Sequence, residues 1–226
     1  MSRETFLARV RDAAQRGRHY RVHLRPFPAD AGYLGAGDDL VGRFAAEVSA
    51  VGGTAHVVDD LVAARKKMGE FLELSAARSA LTWESPLLDR MGLAAMLGEQ
   101  AIEHWSHSIL AALEPSEQRH HMLDAGIGIS GATWAVAETG SVVVASGPGT
   151  ERLASLLPPF YVTVVEESQM LPDLFDLFAR YDAATGQELP SNLAFITGPS
   201  KTGDIELRLT TGVHGPGVWH VVVVRG

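Results

Sequence analysis

The sequence predicts an α/β protein with a largely parallel sheet and helices on both faces. Three observations predict it. Short apolar runs, at residues 161–165 and 218–224 above all, are continuous rather than alternating, as in strands buried on both sides. Single helical patterns separate these runs. Finally, 226 residues, 46% of them hydrophobic and 20% charged, suffice for one packed α/β core.

In chain order, Ser2 is placed to cap a first helix. Phe6, Leu7, Val10, Ala13 and Ala14 recur there at helical spacing until Gly17 stops it. Residues 18–36 hold Pro26, Pro28, Gly32 and Gly35 and read as an extended arm. The chain thus divides into an N-terminal helix and arm, residues 1–36, and an α/β domain, residues 37–226. A second helix begins at Asp38 and Asp39, whose carboxylates suit its positive end. It carries Leu40, Val41, Phe44, Ala45 and Val48 and ends at Gly52 and Gly53. Residues 54–58 form a strand. The helix after Asp59 and Asp60 presents Leu61, Val62, Met68, Phe71, Leu72 and Leu74. Residues 80–83 are a weak strand, and Pro86 opens a helix that ends near Gly98. The pattern of residues 99–113 is compatible with continued helix, broken at Pro115.

The character changes near Asp124. Strands are expected at 126–130, 141–145, 161–165, 193–197 and 218–224, with helices at 150–157 and 171–181. Ligands of parallel sheets bind beyond the carboxyl ends of the strands, so the strand-end loops are where a site is expected.

Composition narrows the function. The formal net charge is -8. The basic runs are Arg65-Lys66-Lys67, on a helical face, and a stretch with Arg16, Arg18, His19, Arg21, His23 and Arg25, read as an exposed arm. Neither makes the basic face of a nucleic-acid binder. With no cysteine, the chain has no disulfide and no thiolate for zinc or an iron–sulfur cluster, so any redox metal chemistry would belong to a partner chain. The polar N-terminus lacks the apolar stretch of a signal peptide. No run approaches the ~20 apolar residues of a membrane span, and the expected compartment is the cytoplasm.

Three Gly-rich loops carry chemistry-bearing side chains. The first is Ala137-Glu138-Thr139-Gly140, the second runs from Thr197 through Gly198, Pro199, Ser200, Lys201, Thr202, Gly203, Asp204 and Ile205 to Glu206, and the third is Gly212-Val213-His214-Gly215-Pro216. Glycine lets backbone N–H groups approach a ligand closely. Ser, Thr and Lys add donors for anionic oxygens, and Asp, Glu and His offer acid/base groups. For each loop alone, a plain turn or helix cap is an equal account. The three are expected to converge on one pocket. Glu138, Thr139, Ser200, Thr202, Asp204, Glu206 and His214 would bring side chains to it, and Gly140, Gly198, Pro199 and Gly215 backbone.

Other motifs are weaker. Gly147-Pro148-Gly149-Thr150 lacks the Lys-Ser/Thr ending of a phosphate-binding loop. His104 and His107 would share a helix face, but no third ligand completes a metal signature, so no metal is expected. No Gly-x-Ser-x-Gly elbow occurs. Residues 91–113 hold Met96, Leu97, Ile102, Trp105, Ile109 and Leu110. They form either a partner surface or, more simply, core.

The Ala137-Glu-Thr-Gly-Ser-Val-Val-Val block, Ala154-Ser-Leu-Leu-Pro-Pro, the Thr197 loop and Gly-Val-His-Gly-Pro keep an order and spacing that resemble the LUD-domain family. The likeness covers residues 124–226. The leading helix, the Pro-containing arm and the helix ending in Val51-Gly52-Gly53 fit it as well. Gly203 departs from it, since family members more often show Ala or Ser there, and Trp134 stands in a segment that is usually more acidic. The resemblance implies a fold related to CoA transferases, ribose-5-phosphate isomerase and formyltetrahydrofolate cyclo-ligase. It implies a part in the oxidation of L-lactate to pyruvate in bacteria, with iron–sulfur clusters in two partner proteins and no cofactor in this chain.

Three readings stand side by side. The chain is an accessory or ligand-binding subunit of a lactate-oxidising system. Or it is an independent enzyme on an anionic thioester, sugar phosphate or carboxylate; related folds use a Glu for such work, which makes Glu138 the catalytic candidate. Or it is a ligand-sensing domain.

Overall fold

The computed structural model describes residues 2–17, 35–183, 190–203 and 209–225, and the chain falls into two units that divide after Leu34. In the first unit α1 (Arg3–Gly17) is an amphipathic helix. The Thr5 N–H donates to the Ser2 hydroxyl at 3.2 Å, the cap its position predicts. The arm expected at 18–36, with Arg18, His19, Arg21, His23 and Arg25, lies outside the described residues up to position 34.

The second unit contains α2 (Leu40–Ala50), β1 (Thr54–Val58), α3 (Leu61–Ser75), β2 (Ser79–Thr82), α4 (Pro86–Met91), α5 (Leu93–Glu99), β3 (Glu103–Trp105), α6 (His107–Ala111), α7 (Pro115–Asp124) and β4 (Ile127–Ser130). It continues with β5 (Trp134–Val136), β6 (Ser141–Ser146), α8 (Leu153–Leu156), β7 (Phe160–Glu166), β8 (Met170–Leu171), α9 (Leu174–Ala183), β9 (Asn192–Ile196), β10 (Lys201–Gly203), β11 (Leu209–Thr211) and β12 (Val218–Val224). Six strands form one sheet in the order β1-β12-β7-β4-β2-β3, and every neighbouring pair is parallel. This is the expected α/β architecture. Among the described residues, no helix is long and apolar enough to cross a membrane.

The continuous apolar runs form the middle of this sheet, because both of its faces are covered. Along β7, Val162 and Val164 face a cluster with Met68, Phe71 and Leu72 of α3, Leu88 of α4 and Leu97 of α5. Tyr161 and Val165 face the other way, onto Phe44 and Val48 of α2 and onto Trp219. The buried polar groups on that side are paired: Trp219 Nε1 donates to Thr163 Oγ1 at 3.2 Å, and the Tyr161 and Ser130 hydroxyls meet at 2.6 Å.

A second sheet lies beyond α2, in the order β8-β5-β6-β9. Residues 141–145 and 193–197 belong here and not to the parallel sheet: β6 runs antiparallel to both β5 and β9. The cause is the short turn 137–140, in which only four residues separate Val136 from its partner Ser141. A parallel crossover needs a dozen or more. Val136 and Val143 turn outward to Leu171 and Leu177, so α9 covers the outer face. β10 and β11 form a separate antiparallel pair.

Residues 99–113 are not one helix. Ala101 takes φ 54, which breaks the helical path, and β3 then pairs with β2 before α6 begins. Pro115 does not end a helix but opens α7, where its missing N–H costs nothing and Glu114 with Glu117 forms a capping box. Pro86 opens α4, but Gly92 at φ 77 divides that segment into α4 and α5. Of the apolar groups at 91–113, Met91, Met96, Leu97 and Ile102 are core, and Trp105 and Leu110 pack against it. Ile109 is 39% exposed.

Candidate functional site

The Gly198 and Gly212 loops are stitched together by main-chain bonds. Ser200 N donates to Pro216 O at 2.8 Å, and Gly212 N donates to Ser200 O at 2.9 Å. Both turns need glycine. Gly198 has φ 92, and a Cβ there would stand 2.6 Å from Val51 O; Gly212 has φ 82. Between the loops lies a cavity of about 190 Å³, walled by Thr197, Gly198, Pro199, Ser200, His214, Gly215 and Pro216 with Phe195, Tyr161 and Trp219 below. Gly215 packs on Ser200: a Cβ there would sit 3.1 Å from the Ser200 Cβ. His214 is exposed on the rim.

This cavity is not at the carboxyl edge of the parallel sheet, where the strand-end argument looks for a site. Gly217 N and Val218 N both donate to Pro159 O, and Val218 is in register with Phe160. The loops therefore sit at the amino ends of β7 and β12. The Gly198 loop arrives there because β9 belongs to the antiparallel part of the second sheet.

The 137–140 turn lies nearby but does not line the cavity. Ala137 N and Glu138 N donate to Leu171 O and Pro172 O at 2.8 and 3.0 Å. Gly140 has φ 62 and lies so close to α2 that a Cβ would be 2.5 Å from Val48 N. A chain of hydroxyls links turn and cavity: Thr139 Oγ1 to Ser141 Oγ at 2.7 Å, then Ser141 Oγ to Thr197 Oγ1 at 2.7 Å. Glu138 is half-buried, and its carboxylate meets no hydrogen-bond or ion-pair partner among the described residues.

All three loops gather at the end of α2. Gly140 rests on Val48, Gly198 on Val51 O, and Lys201 Nζ donates to the same Val51 O at 2.5 Å, where the helix carbonyls want a cation. Thr202 is half-buried on β10 opposite Thr210. Asp204 and Glu206 lie outside the described residues.

The true carboxyl edge holds a second polar cluster that the sequence pattern does not single out. Glu84, just past β2, accepts from Ser106 Oγ at 2.8 Å and Ser108 N at 2.7 Å. Bonds from the Ser108 hydroxyl and backbone, then from Ser106, hold its carboxyl at about 2. His107 Nδ1 meets Glu151 Oε1 at 2.5 Å, and that same oxygen accepts from Gly149 N at 2.9 Å. His104 Nε2 meets Thr82 Oγ1 at 2.6 Å, and burial lowers its pKa. His104 and His107 thus share no helix face: one ends in β3, the other starts α6. Among the described residues no group of three or more His, Asp or Glu could hold a metal. The signal available beforehand was position: Glu84 directly follows a strand. Ser106 and Glu151 come from unrelated segments and share no spacing with it.

An all-parallel six-stranded sheet, a mixed sheet beyond α2 and loop-built hollows at both sheet edges define an α/β domain of one particular kind. Residues 41–224 match the LUD domain, and the chain belongs to that family. It is similar to the lactate utilization protein C of Halalkalibacterium halodurans, 40% identical over 148 residues, which are 64% of this chain and 62% of that protein, less than two thirds of its length. It is 30% identical over 225 residues to the lactate utilization protein C of a Geobacillus species, a match that spans 95% of this chain and 92% of that one. Among solved structures, a DUF162 family protein from Deinococcus radiodurans shares the fold, with TM-score 0.58 and 19% identity over 82% of this chain and 96% of that one.

Proposed function

We propose that this chain serves lactate utilisation by holding a small carboxylate, such as L-lactate or pyruvate, between the Gly198 and Gly212 loops. The relatives' names supply the system, and the cavity supplies the chemistry. The cavity's lining carries the reading. Among its described side chains none is acidic, while Thr197, Ser200 and His214 offer hydrogen-bonding groups. Electron transfer falls to partner proteins with iron–sulfur clusters, because this chain has no cysteine to bind one by thiolate. The working compartment is the cytoplasm.

Glu138 favours a second reading, that the chain itself catalyses a step on an anionic thioester, sugar phosphate or carboxylate. A turn-shaping carboxylate would accept N–H bonds. That of Glu138 accepts none from the described residues, and the turn is held by main-chain bonds instead. It is thus available as a base or nucleophile, with the Thr139–Ser141–Thr197 hydroxyls leading to the cavity.

Calorimetric titration with L-lactate and pyruvate tests the first reading. Saturable binding is expected, weakened about tenfold in Ser200→Ala and His214→Ala, the loss of one hydrogen bond to a charged group each. Binding of neither acid, together with no bound small molecule after purification from the native host, would remove it.

A further inference from the structure

We propose that α1 is a membrane-surface anchor, its apolar stripe lying in the interface of a bilayer whose headgroups are anionic. This inference does not depend on the proposed function, since no α1 residue belongs to the Gly-loop cavity. It rests on a helix that is amphipathic and yet buries nothing. α1 runs for 15 residues, and none of them is buried. Phe6 is 52% and Val10 48% exposed. A helix of this length is marginal by itself in water, and an amphipathic one is stabilised by what its apolar face packs against.

The order of side chains round the helix defines the surface it fits. At about 100° per residue, Phe6, Leu7, Val10, Ala13 and Ala14 form a stripe roughly 120° wide. Arg9 and Arg16 follow one margin of it, Arg11 the other, and Arg3 stands at its head in the first turn. Glu4 lies beyond Arg11 and Asp12 beyond Arg16, on the far side. The ion pair of Arg16 with Asp12 is exposed and holds the guanidinium only weakly. Arginines on such margins bury their stems beside the stripe and lift their charged heads to the level of lipid phosphates. A bilayer interface, apolar beneath and anionic at its surface, complements the stripe and both margins at once.

Charge along the whole chain points the same way. Residues 1–34 hold seven arginines against Glu4, Asp12 and Asp30, a net charge of +4 in a chain of -8, so the remaining residues carry -12. Only the N-terminal unit is drawn to an anionic surface, and the rest is repelled from it. Other occupants fit less well. A nucleic acid would meet the arginines but leave Phe6 and Val10 in water. A second copy of α1 would bring one arginine-lined margin against another in either orientation.

The test is flotation of the full chain with vesicles of phosphatidylglycerol and phosphatidylcholine, beside vesicles of phosphatidylcholine alone. Binding is expected to the anionic vesicles only, and raised salt should weaken it. Arg11→Gln with Arg16→Gln should weaken it about 25-fold, or about fivefold for each arginine held near an anionic surface. Phe6→Gln with Val10→Gln should weaken it by about tenfold or more. Glutamine forms helix at least as well as phenylalanine and valine, so that loss reads the apolar face and not the helix. Arg119→Gln, exposed on α7, removes the same charge elsewhere and should change nothing. The proposal is overturned by any of four results: no binding to the anionic vesicles, equal binding to the neutral ones, binding that survives Phe6→Gln with Val10→Gln, or an equal loss in Arg119→Gln. Self-association in light scattering that Phe6→Gln with Val10→Gln abolishes, without vesicle binding, would give the face to a second copy and overturn it as well.

Discussion

Glu138 shows how a single side chain divides the functional readings. Its main chain is committed to Pro172 O, yet its carboxylate has no partner among the described residues. Glu138→Gln keeps size and shape and removes the charge. Stability should move by no more than about 0.5 kcal/mol, as for a substitution outside the core with no bond to lose. Lactate-dependent growth should fail if the carboxylate does chemistry. Growth at the normal rate with stability intact would leave Glu138 without a catalytic part. His220 makes a different demand. Its Nδ1 lies 3.2 Å from His56 Nε2, with Phe71 stacked at 4.6 Å and Lys67 and Glu70 of α3 nearby. Burial first, then His56 and Lys67, lower its pKa from 6.5 to about 4. The folded state therefore binds fewer protons than the unfolded chain between those values. Its stabilising contribution is complete above pH 6.5 and is lost as pH falls toward 4. Melting temperatures recorded from pH 8 down to 4.5 should drop across this window, and His220→Phe should flatten the drop. An equal fall in the variant would assign the acid sensitivity elsewhere. The lowered Glu84 carboxyl acts only below this range, between 4.5 and about 2.

At the scale of elements, the end of α2 organises the candidate site, and glycines do the fitting. Gly198→Ala would force a positive φ on a residue with a side chain and drive its Cβ to 2.6 Å from Val51 O. A loss of about 1–3 kcal/mol is expected, readable in urea titrations. Gly140→Ala should cost as much, since its Cβ would meet Val48 N at 2.5 Å and φ is 62. Gly203→Ala should be nearly silent, because a Cβ there meets nothing within 4 Å among the described residues. A Gly203→Ala loss as large as that of Gly198→Ala would contradict the packing described. The same elements show what a sequence discloses. Helix starts at Ser2, Asp39, Asp60 and Pro86 were legible because caps and proline act locally. So were β12, whose apolar run announces burial, and β1, a short strand that lies at the half-exposed edge of the sheet. β3 was not, because three residues carry no period, and only pairing with β2 defines them as strand. The membership of β6 and β9 was not legible either. Strand direction depends on how far the chain travels between pairings, and the four-residue 137–140 turn settles that for β6 only once β5 is known to be a strand. Likewise the Gly loops could be chosen from composition, but their edge of the sheet could not. The Glu84, Ser106 and Glu151 cluster left no linear trace, since three separate segments build it.

The whole molecule places a hollow at each of the two edges of one parallel sheet. At the amino ends of β7 and β12 lies the Gly-loop cavity, without acidic side chains among its described residues. Near the carboxyl ends of β2 and β3 lies an apolar cavity beside two carboxylates. An α/β unit of this kind can hold small molecules, but oxidising a hydroxy acid to a keto acid also requires somewhere for an electron pair to go. No cysteine stands anywhere in this chain, and no strand–Gly-x-Gly-x-x-Gly–helix unit offers a dinucleotide site. On the proposed subunit reading, other proteins accept the electrons, and this chain contacts them. The apolar segment 91–113 supplies no such contact surface as a whole, because Met91, Met96, Leu97 and Ile102 already fill the domain's own core. Substitutions of those four residues should thus act on folding first, by about 2–5 kcal/mol for a buried Leu or Met to Ala, and only through it on association. The association itself is tested in the native host. This chain, tagged, should retain the cluster-bearing lactate-oxidising proteins, and deleting its gene should abolish growth on L-lactate while growth on pyruvate continues. Unchanged L-lactate oxidation by those partners in the deletion strain would show that they complete the reaction alone, and would sink the proposed subunit role.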